Sequence, residues 1–321
     1  MPEARHIPLI DIGRDPVEIA PDIDRACRDT GFFFVVGHDV PVELQQRLDT
    51  LAREFFALDD DEKAAIDMRR GGRAWRGWFP VGRELTSGVP DQKEGIYFGQ
   101  ERPPSDLPLH GPNLFPARPT GLRDAVLDYI DAVTALGQRV LRAIAVALPL
   151  DAGWFDEHLT HDPLVLFRIF HYPPLEHQDE RWSVGEHTDY GLITILAQDA
   201  SGGLEVRGPD GWIAAPPIPN SFVVNLGDML ERMTGGRYKS TPHRVHNTSG
   251  ADRLSFPLFL DPTWDAEVLP VPTTGRAGEG EGATTYDRWD GASVHDWSGT
   301  YGDYVLTKVG RVFPDLRDEV L

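Results

Sequence analysis

At 321 residues, with 40% hydrophobic and 26% charged side chains, the chain has the make-up of an ordinary folded protein, which excludes a disordered or collagen-like polymer. A formal net charge of −20 repels nucleic-acid phosphates and anionic lipid surfaces, so neither is expected as a partner. The single cysteine, Cys27, excludes an intrachain disulfide and a cysteine-built metal cluster, and reads as a small buried apolar residue.

In chain order, Pro8 to Ile12 reads as a short strand and Phe32 to Val36, bounded by Gly31 and Gly37, as another, with a helix between them. From Val42 to about Met68, Leu44, Leu48, Leu51, Phe55 and Phe56 recur at helical spacing, which predicts a helix-rich front section. Residues 70 to 118 are rich in Gly, Pro, Arg and aromatics and only weakly periodic. They predict an ordered loop, because Trp75, Trp78, Phe79, Tyr97 and Phe98 interleaved through it argue against disorder. A long apolar-periodic helix is expected from about Leu122 to Leu148.

From Leu164 the pattern changes to short strands: Leu164 to Tyr172, Leu192 to Ala197, Gly203 to Val206, Trp212 to Ala214, Phe222 to Asn225 and Leu254 to Leu260. Pro209-Asp210-Gly211 signals a hairpin between two of them. Strands this short and closely spaced suggest a sandwich or barrel of the jelly-roll type. Thr274 to Ala283, dominated by Gly, Glu, Ala and Thr, reads as a flexible insertion before a helix near Tyr301 to Val312. No stretch approaches the roughly 18 uninterrupted apolar residues of a spanning helix, and the first residues lack a signal-peptide pattern, so a cytoplasmic location is expected.

Within the strand-rich half, His187-Thr188-Asp189 sets an imidazole and a carboxylate two residues apart, on one face of an extended backbone. Alone this is also what a chance surface pair would give. Two histidines and one carboxylate on one face of an octahedron make the open site of non-haem iron(II) oxygenases, so a second histidine is needed. The candidates are His243 and His246, whose spacing of three cannot put both on one strand face. Arg253-Leu254-Ser255 follows, with a forked cation and a hydroxyl on one side of a strand, a pair well suited to a carboxylate.

His187-Thr188-Asp189, His243-Arg244-Val245 and Arg253-Leu254-Ser255, in that order, resemble the isopenicillin N synthase-like branch of the 2-oxoglutarate/iron(II) oxygenase superfamily. Phe170-His171-Tyr172-Pro173-Pro174 is similar to that family's Asn-Tyr-Tyr-Pro-Pro segment, Val224-Asn225-Leu226-Gly227-Asp228 to its Val-Asn-x-Gly-Asp turn, and Gly31-Phe32-Phe33 to its N-terminal Gly-Phe-Phe. The resemblance runs from about residue 7 to 265. It implies a mainly β fold with flanking helices around a distorted double-stranded β-helix, or jelly-roll, core. It further implies Fe(II) on His187, Asp189 and His243, and 2-oxoglutarate as co-substrate with its distal carboxylate on Arg253, Ser255 and Tyr172. O2 would be the oxidant. Phe170 departs from the family's asparagine and removes one expected polar contact. His246 falls outside the motif and is expected to be structural, and Asn225 and Asp228 to shape a turn.

The implied organisation is one compact catalytic unit: a helix-rich N-terminal region (1–120), a supporting helix (121–160), the jelly-roll core for iron and 2-oxoglutarate (161–265), and the insertion with its C-terminal helix (266–321). The implied reaction oxidises an unactivated C–H bond of a small molecule, most often by hydroxylation, and releases succinate and carbon dioxide. No obligatory protein partner is inferred. Substrate recognition is expected on the loop from Arg73 to Phe98, where Arg73, Arg76 and Arg83 alternate with Trp78 and Tyr97 and suit a flat or acidic molecule. The same residues would also serve an ordinary packing loop.

Other readings remain at this point. An oxidase of the isopenicillin N synthase or aminocyclopropane-carboxylate oxidase type needs no 2-oxoglutarate. The segments Gly82 to Asp91 and Leu109 to Pro112 resemble those of the bacterial ethylene-forming type. A non-catalytic jelly-roll metabolite-binding protein would not require the ligand triad. A zinc hydrolase would require a general base that the sequence does not identify.

Overall fold

Short apolar runs between turn residues fold into two β-sheets, with helices covering the larger. The computed structural model describes residues 6–174, 182–247, 249–272 and 293–314. In chain order the elements are β1 (Leu9–Asp11), α1 (Pro16–Asp29), β2 (Phe32–Val36), α2 (Val42–Phe56), α3 (Asp60–Lys63), β3 (Gly77–Phe79), β4 (Glu94–Gly99), α4 (Leu122–Ala147) and α5 (Trp154–His158). Then come β5 (Leu164–Tyr172), β6 (Val184–His187), β7 (Ile193–Gln198), β8 (Leu204–Gly208), β9 (Gly211–Ala214), β10 (Phe222–Leu226), α6 (Asp228–Met233), β11 (His243–Val245), β12 (Arg253–Asp261) and α7 (Tyr301–Val312).

The larger sheet has eight strands in the order β1-β2-β10-β7-β12-β5-β4-β3, and the smaller has four in the order β6-β11-β8-β9. This is the expected mainly β jelly-roll architecture. Strands of the larger sheet such as β10 and β12 are buried on almost every residue rather than on alternate ones. The reason is that α4 packs on its outer side, against β7 and β12, while α1 and α2 pack on α4. The long helix expected from sequence is thus the buried keel of the sheet.

The strands expected at Pro8–Ile12 and Phe32–Val36 form as β1 and β2 and extend one edge of the larger sheet. One expectation needs correction: 70–118 is not all loop, since Met68 to Ala74 forms a 3-10 turn, β3 and β4 extend the other edge of the sheet, and β4 pairs with β5 along its whole length. Glycine hid this strand. At Gly95 a Cβ would lie 2.7 Å from the Phe170 ring, so only glycine admits the close packing there. Gly31, at φ +64° with the Lys239 carbonyl where a Cβ would stand, likewise permits the tight entry into β2. The expected insertion at 274–283 lies outside the described residues.

The β3–β4 edge is fastened to β5 by a buried polar network. Glu94 accepts hydrogen bonds from Lys63 Nζ (2.9 Å), Trp78 Nε1 (2.8 Å) and His171 Nδ1 (2.8 Å), and His171 Nε2 meets Asp252 at 2.8 Å. Burial works against charge on His171, but the hydrogen bonds to Glu94 and Asp252 prevail and raise its pKa above 6.5. The charged ring contributes stability that is fully present below 6.5 and is lost as pH rises through the higher folded-state value. His171→Gln is therefore expected to cost stability on the order of 1 kcal/mol at acidic pH, read as a lower melting temperature, with the gap to wild type narrowing as pH rises. A gap independent of pH would show that the ring is neutral in the fold.

Candidate metal centre

His187 ends β6 and His243 begins β11, and the two are direct cross-strand partners in the smaller sheet. Their rings lie 4.2 Å apart, centroid to centroid. Asp189 leaves β6 two residues later and points back. Its Oδ1 is 3.8 Å from Nε2 of each histidine, and one ligand atom from each of the three residues falls within 4.8 Å of the others. This group can hold a metal ion.

The surrounding bonds aim each atom. Nδ1 of His187 donates to the Gly185 carbonyl (2.8 Å) and Nδ1 of His243 to the Thr241 carbonyl (3.2 Å), which leaves each Nε2 with its lone pair toward the centre. Asp189 Oδ2 accepts from Thr194 Oγ1 (2.5 Å) and Asn225 Nδ2 (2.7 Å), so Oδ1 is the oxygen left to a ligand. Burial opposes ionisation of Asp189. The His243 and His187 rings and these two donors outweigh it and hold the carboxyl below its ordinary range. Burial, then the neighbouring His243 ring, pushes His187 down to about 3, and a neutral imidazole is the form that ligates.

Asn225 thereby corrects an expectation: it stands in β10 and steadies Asp189 rather than shaping a turn. Asp228 does open α6, but it is wholly buried and accepts from Ser240 Oγ (2.8 Å) and Tyr304 Oη (2.7 Å). His246 lies outside β11, its ring 5.0 Å from that of Trp182.

Across the cavity, Arg253 and Ser255 face inward from β12, and Tyr172 is the register partner of Arg253 on β5. Tyr172 Oη and Ser255 Oγ are 3.1 Å apart, and the Arg253 guanidinium lies over the tyrosine ring at 4.5 Å. Arg253 is fully buried. Its Nε donates to the Gly202 carbonyl (2.5 Å), while both terminal nitrogens have no hydrogen-bond partner among the described residues. A buried guanidinium left so is costly unless an anion arrives. The donor set therefore fits a carboxylate, as the metal triad fits an octahedral ferrous ion.

One cavity of about 940 Å³, its open mouth included, joins these parts. The far wall carries Glu84, Thr86, Lys93 and Arg168, and α7 closes it with Val305, Val309 and Val312. Tyr301 Oη of α7 donates to Asp261 Oδ2 (2.5 Å), and the Leu85 N–H to the Val312 carbonyl (3.0 Å), which moors the helix. Burial pushes the Asp261 carboxyl up to about 7.

The five residues expected to read the substrate do not line this cavity. Arg73 is exposed, Arg83 pairs with Asp67 at 3.1 Å, and Trp78 serves Glu94. Arg76 is buried behind the wall, donating to the carbonyls of Phe98 and Leu109, and Tyr97 donates to Glu84. These five side chains lie around the wall, while Glu84, Thr86 and Lys93 of the same Arg73–Phe98 segment line it without being among the expected substrate residues. The one sequence signal for Glu84 and Thr86 is the resemblance of the segment Gly82 to Asp91 that holds them. Arg168 had a weaker signal, a lone cation inside an apolar strand.

Comparison with known proteins agrees with this geometry. Residues 163–262 match the model of the 2OG-Fe(II) oxygenase superfamily, and residues 7–118 that of the non-haem dioxygenase in morphine synthesis N-terminal region. A probable iron/ascorbate oxidoreductase of Dictyostelium discoideum is 45% identical, over 98% of this chain and 97% of its own. A 1-aminocyclopropane-1-carboxylate oxidase of Dictyostelium mucoroides is 35% identical, over 96% and 95%. The crystal structure of a full-length Neurospora crassa protein in complex with alpha-KG superposes with a TM-score of 0.81 at 29% identity, covering 97% of this chain and 98% of that one. No helix among the described residues is long and apolar enough to cross a membrane.

Proposed function

The chain belongs to the 2OG-Fe(II) oxygenase superfamily and is a non-haem iron(II), 2-oxoglutarate-dependent oxygenase, and on that premise we propose that it hydroxylates an unactivated C–H bond of a small molecule. Each turnover would consume one 2-oxoglutarate and one O2 and release succinate, carbon dioxide and the alcohol. The observation that carries this reading is the meeting, in one cavity, of three convergent ligand atoms and a buried guanidinium whose two terminal nitrogens have no hydrogen-bond partner among the described residues.

In this reading His187, Asp189 and His243 hold the iron. Bound ferrous iron supplies the redox chemistry that couples decarboxylation of the keto acid to oxidation of the substrate by O2. Arg253 takes the distal carboxylate of 2-oxoglutarate as a bidentate partner, Ser255 and Tyr172 add hydroxyl donors, and Thr194 and Asn225 keep one Asp189 oxygen aimed at the metal. The valines of α7 and the Phe259 ring keep water from the space beside the metal.

The relative named 1-aminocyclopropane-1-carboxylate oxidase makes an oxidase the alternative to separate. The test is stoichiometry. Iron-loaded protein given 2-oxoglutarate and a panel of small acids, amino acids and natural-product scaffolds is expected to form succinate, and in the presence of a true substrate one succinate per product. Product formation without succinate would replace the hydroxylase with an oxidase.

A further inference from the structure

We propose that Arg168 anchors a carboxylate of the prime substrate, making this a site for small organic acids, amino acids included. The inference rests on the oxygenase reading above, because it takes Arg253 as the partner of 2-oxoglutarate.

Arg168, Phe170 and Tyr172 alternate along β5 and all three line the cavity, so Arg168 stands about 13 Å of extended strand from Tyr172 and its partner Arg253. With one end of the keto diacid at Arg253 and the other at the metal, Arg168 is left for a different molecule. Its guanidinium is sandwiched between the Tyr97 ring at 4.1 Å and the Phe259 ring at 4.6 Å. Stacking on both faces fixes the plane of the fork and leaves only its edge N–H groups to meet a ligand.

Among the described residues those edge groups meet only a loose ion pair. Among the described residues the Arg168 side chain makes no hydrogen bond, its Nε is buried without a partner, and the nearest carboxylate oxygen, of Glu84, is 3.8 Å from Nη1. The other cation on this wall is already engaged: Lys93 contacts Glu84 at 2.9 Å, Thr86 at 3.3 Å and Asp91. Glu84 is shared between Lys93 and the Tyr97 hydroxyl. Arg76, buried directly behind, donates to two carbonyls and among the described residues has no carboxylate ion-pair partner, so it adds positive charge. The wall therefore presents one oriented, unsatisfied fork beside the apolar side chains of Phe259, Val305 and Val309. That pairing suits a carboxylate on a short apolar frame.

The test uses enzyme loaded with Fe(II) and 2-oxoglutarate and kept free of oxygen. It is titrated calorimetrically with L-arginine, 1-aminocyclopropane-1-carboxylate and phenylacetate, each against its primary amide. At least one acid is expected to bind, and its amide to bind roughly a hundredfold more weakly, the loss that follows when a buried charge is left without its partner. Arg168→Met is expected to weaken the acid by a similar factor while disturbing 2-oxoglutarate far less, Arg253→Met to do the reverse, and Arg168→Lys to recover part of the acid's affinity. Amides that match their acids, a panel in which no acid binds, or an acid affinity unmoved in Arg168→Met would each overturn the assignment. The acid and amide comparison needs only wild-type protein, so it stands even if a variant does not fold. If the wild type forms no succinate under any condition, the oxygenase reading itself falls. If succinate forms and amides match acids, only Arg168 does.

Discussion

Alanine at His187, Asp189 or His243 is expected to abolish turnover and to strip iron from the purified protein, the largest loss any single side chain here can cause. Each substitution leaves two ligands where a facial site needs three, and no neighbouring donor among the described residues is aimed at the same point. Asn225→Ala and Thr194→Val are expected to lower metal affinity by about 10–100-fold, because they free the Asp189 carboxylate to rotate. His246→Ala is expected to keep its iron, since its ring packs on Trp182 and lies outside the triad. Metal analysis of the purified variants, with anaerobic iron titration, reads all of this directly. Equal iron loss in the His243 and His246 variants would falsify the ligand assignment.

The second large effect is expected at Arg253. Removing one member of a buried charge pair costs roughly 3–5 kcal/mol, so Arg253→Ala is expected to weaken 2-oxoglutarate by two or more decades. Ser255→Ala and Tyr172→Phe each delete one hydrogen bond and are expected to cost about 0.5–1.5 kcal/mol, or at most about tenfold. Equilibrium binding of 2-oxoglutarate to the iron-loaded variants measures this without need of a prime substrate. An affinity unchanged in Arg253→Ala, with the fold retained, would move the anion site elsewhere and favour an oxidase that does not use the co-substrate.

The site explains how a chain of net charge −20 can receive acidic small molecules. The field of the exterior is screened over about 8–10 Å at ordinary ionic strength, whereas Arg253, Lys93 and Arg168 act from within a low-dielectric cavity. Bulk charge bears on large polyanionic partners and says little about a molecule that fits among the cations lining a cavity.

Elements whose signal is local can be read along the chain. The helix at Leu122–Ala147, the strands at Leu164–Tyr172 and Arg253–Asp261, and the helix at Tyr301–Val312 follow the periodicity of their own apolar residues. The triad and the Arg-x-Ser pair were legible for a related reason: motif order and two-residue spacing survive in the chain whatever the tertiary structure does. The rest depends on contacts between residues far apart in the chain. β4, whose Gly95 and Gly99 weaken any strand signal, is a strand because it pairs with β5 along its length, and glycine stands there because the Phe170 ring and the buried Arg76 occupy the space that side chains would need. Asn225 became a support for Asp189 through a contact spanning 36 residues. The substrate wall draws Glu84 and Lys93 from the approach to β4, Arg168 from β5 and valines from α7. Whether an arginine in the aromatic loop packs, like Arg76, or an arginine in an apolar strand faces a ligand, like Arg168, depends on which acceptors the folded chain brings within hydrogen-bond reach, and no periodicity in the chain encodes that.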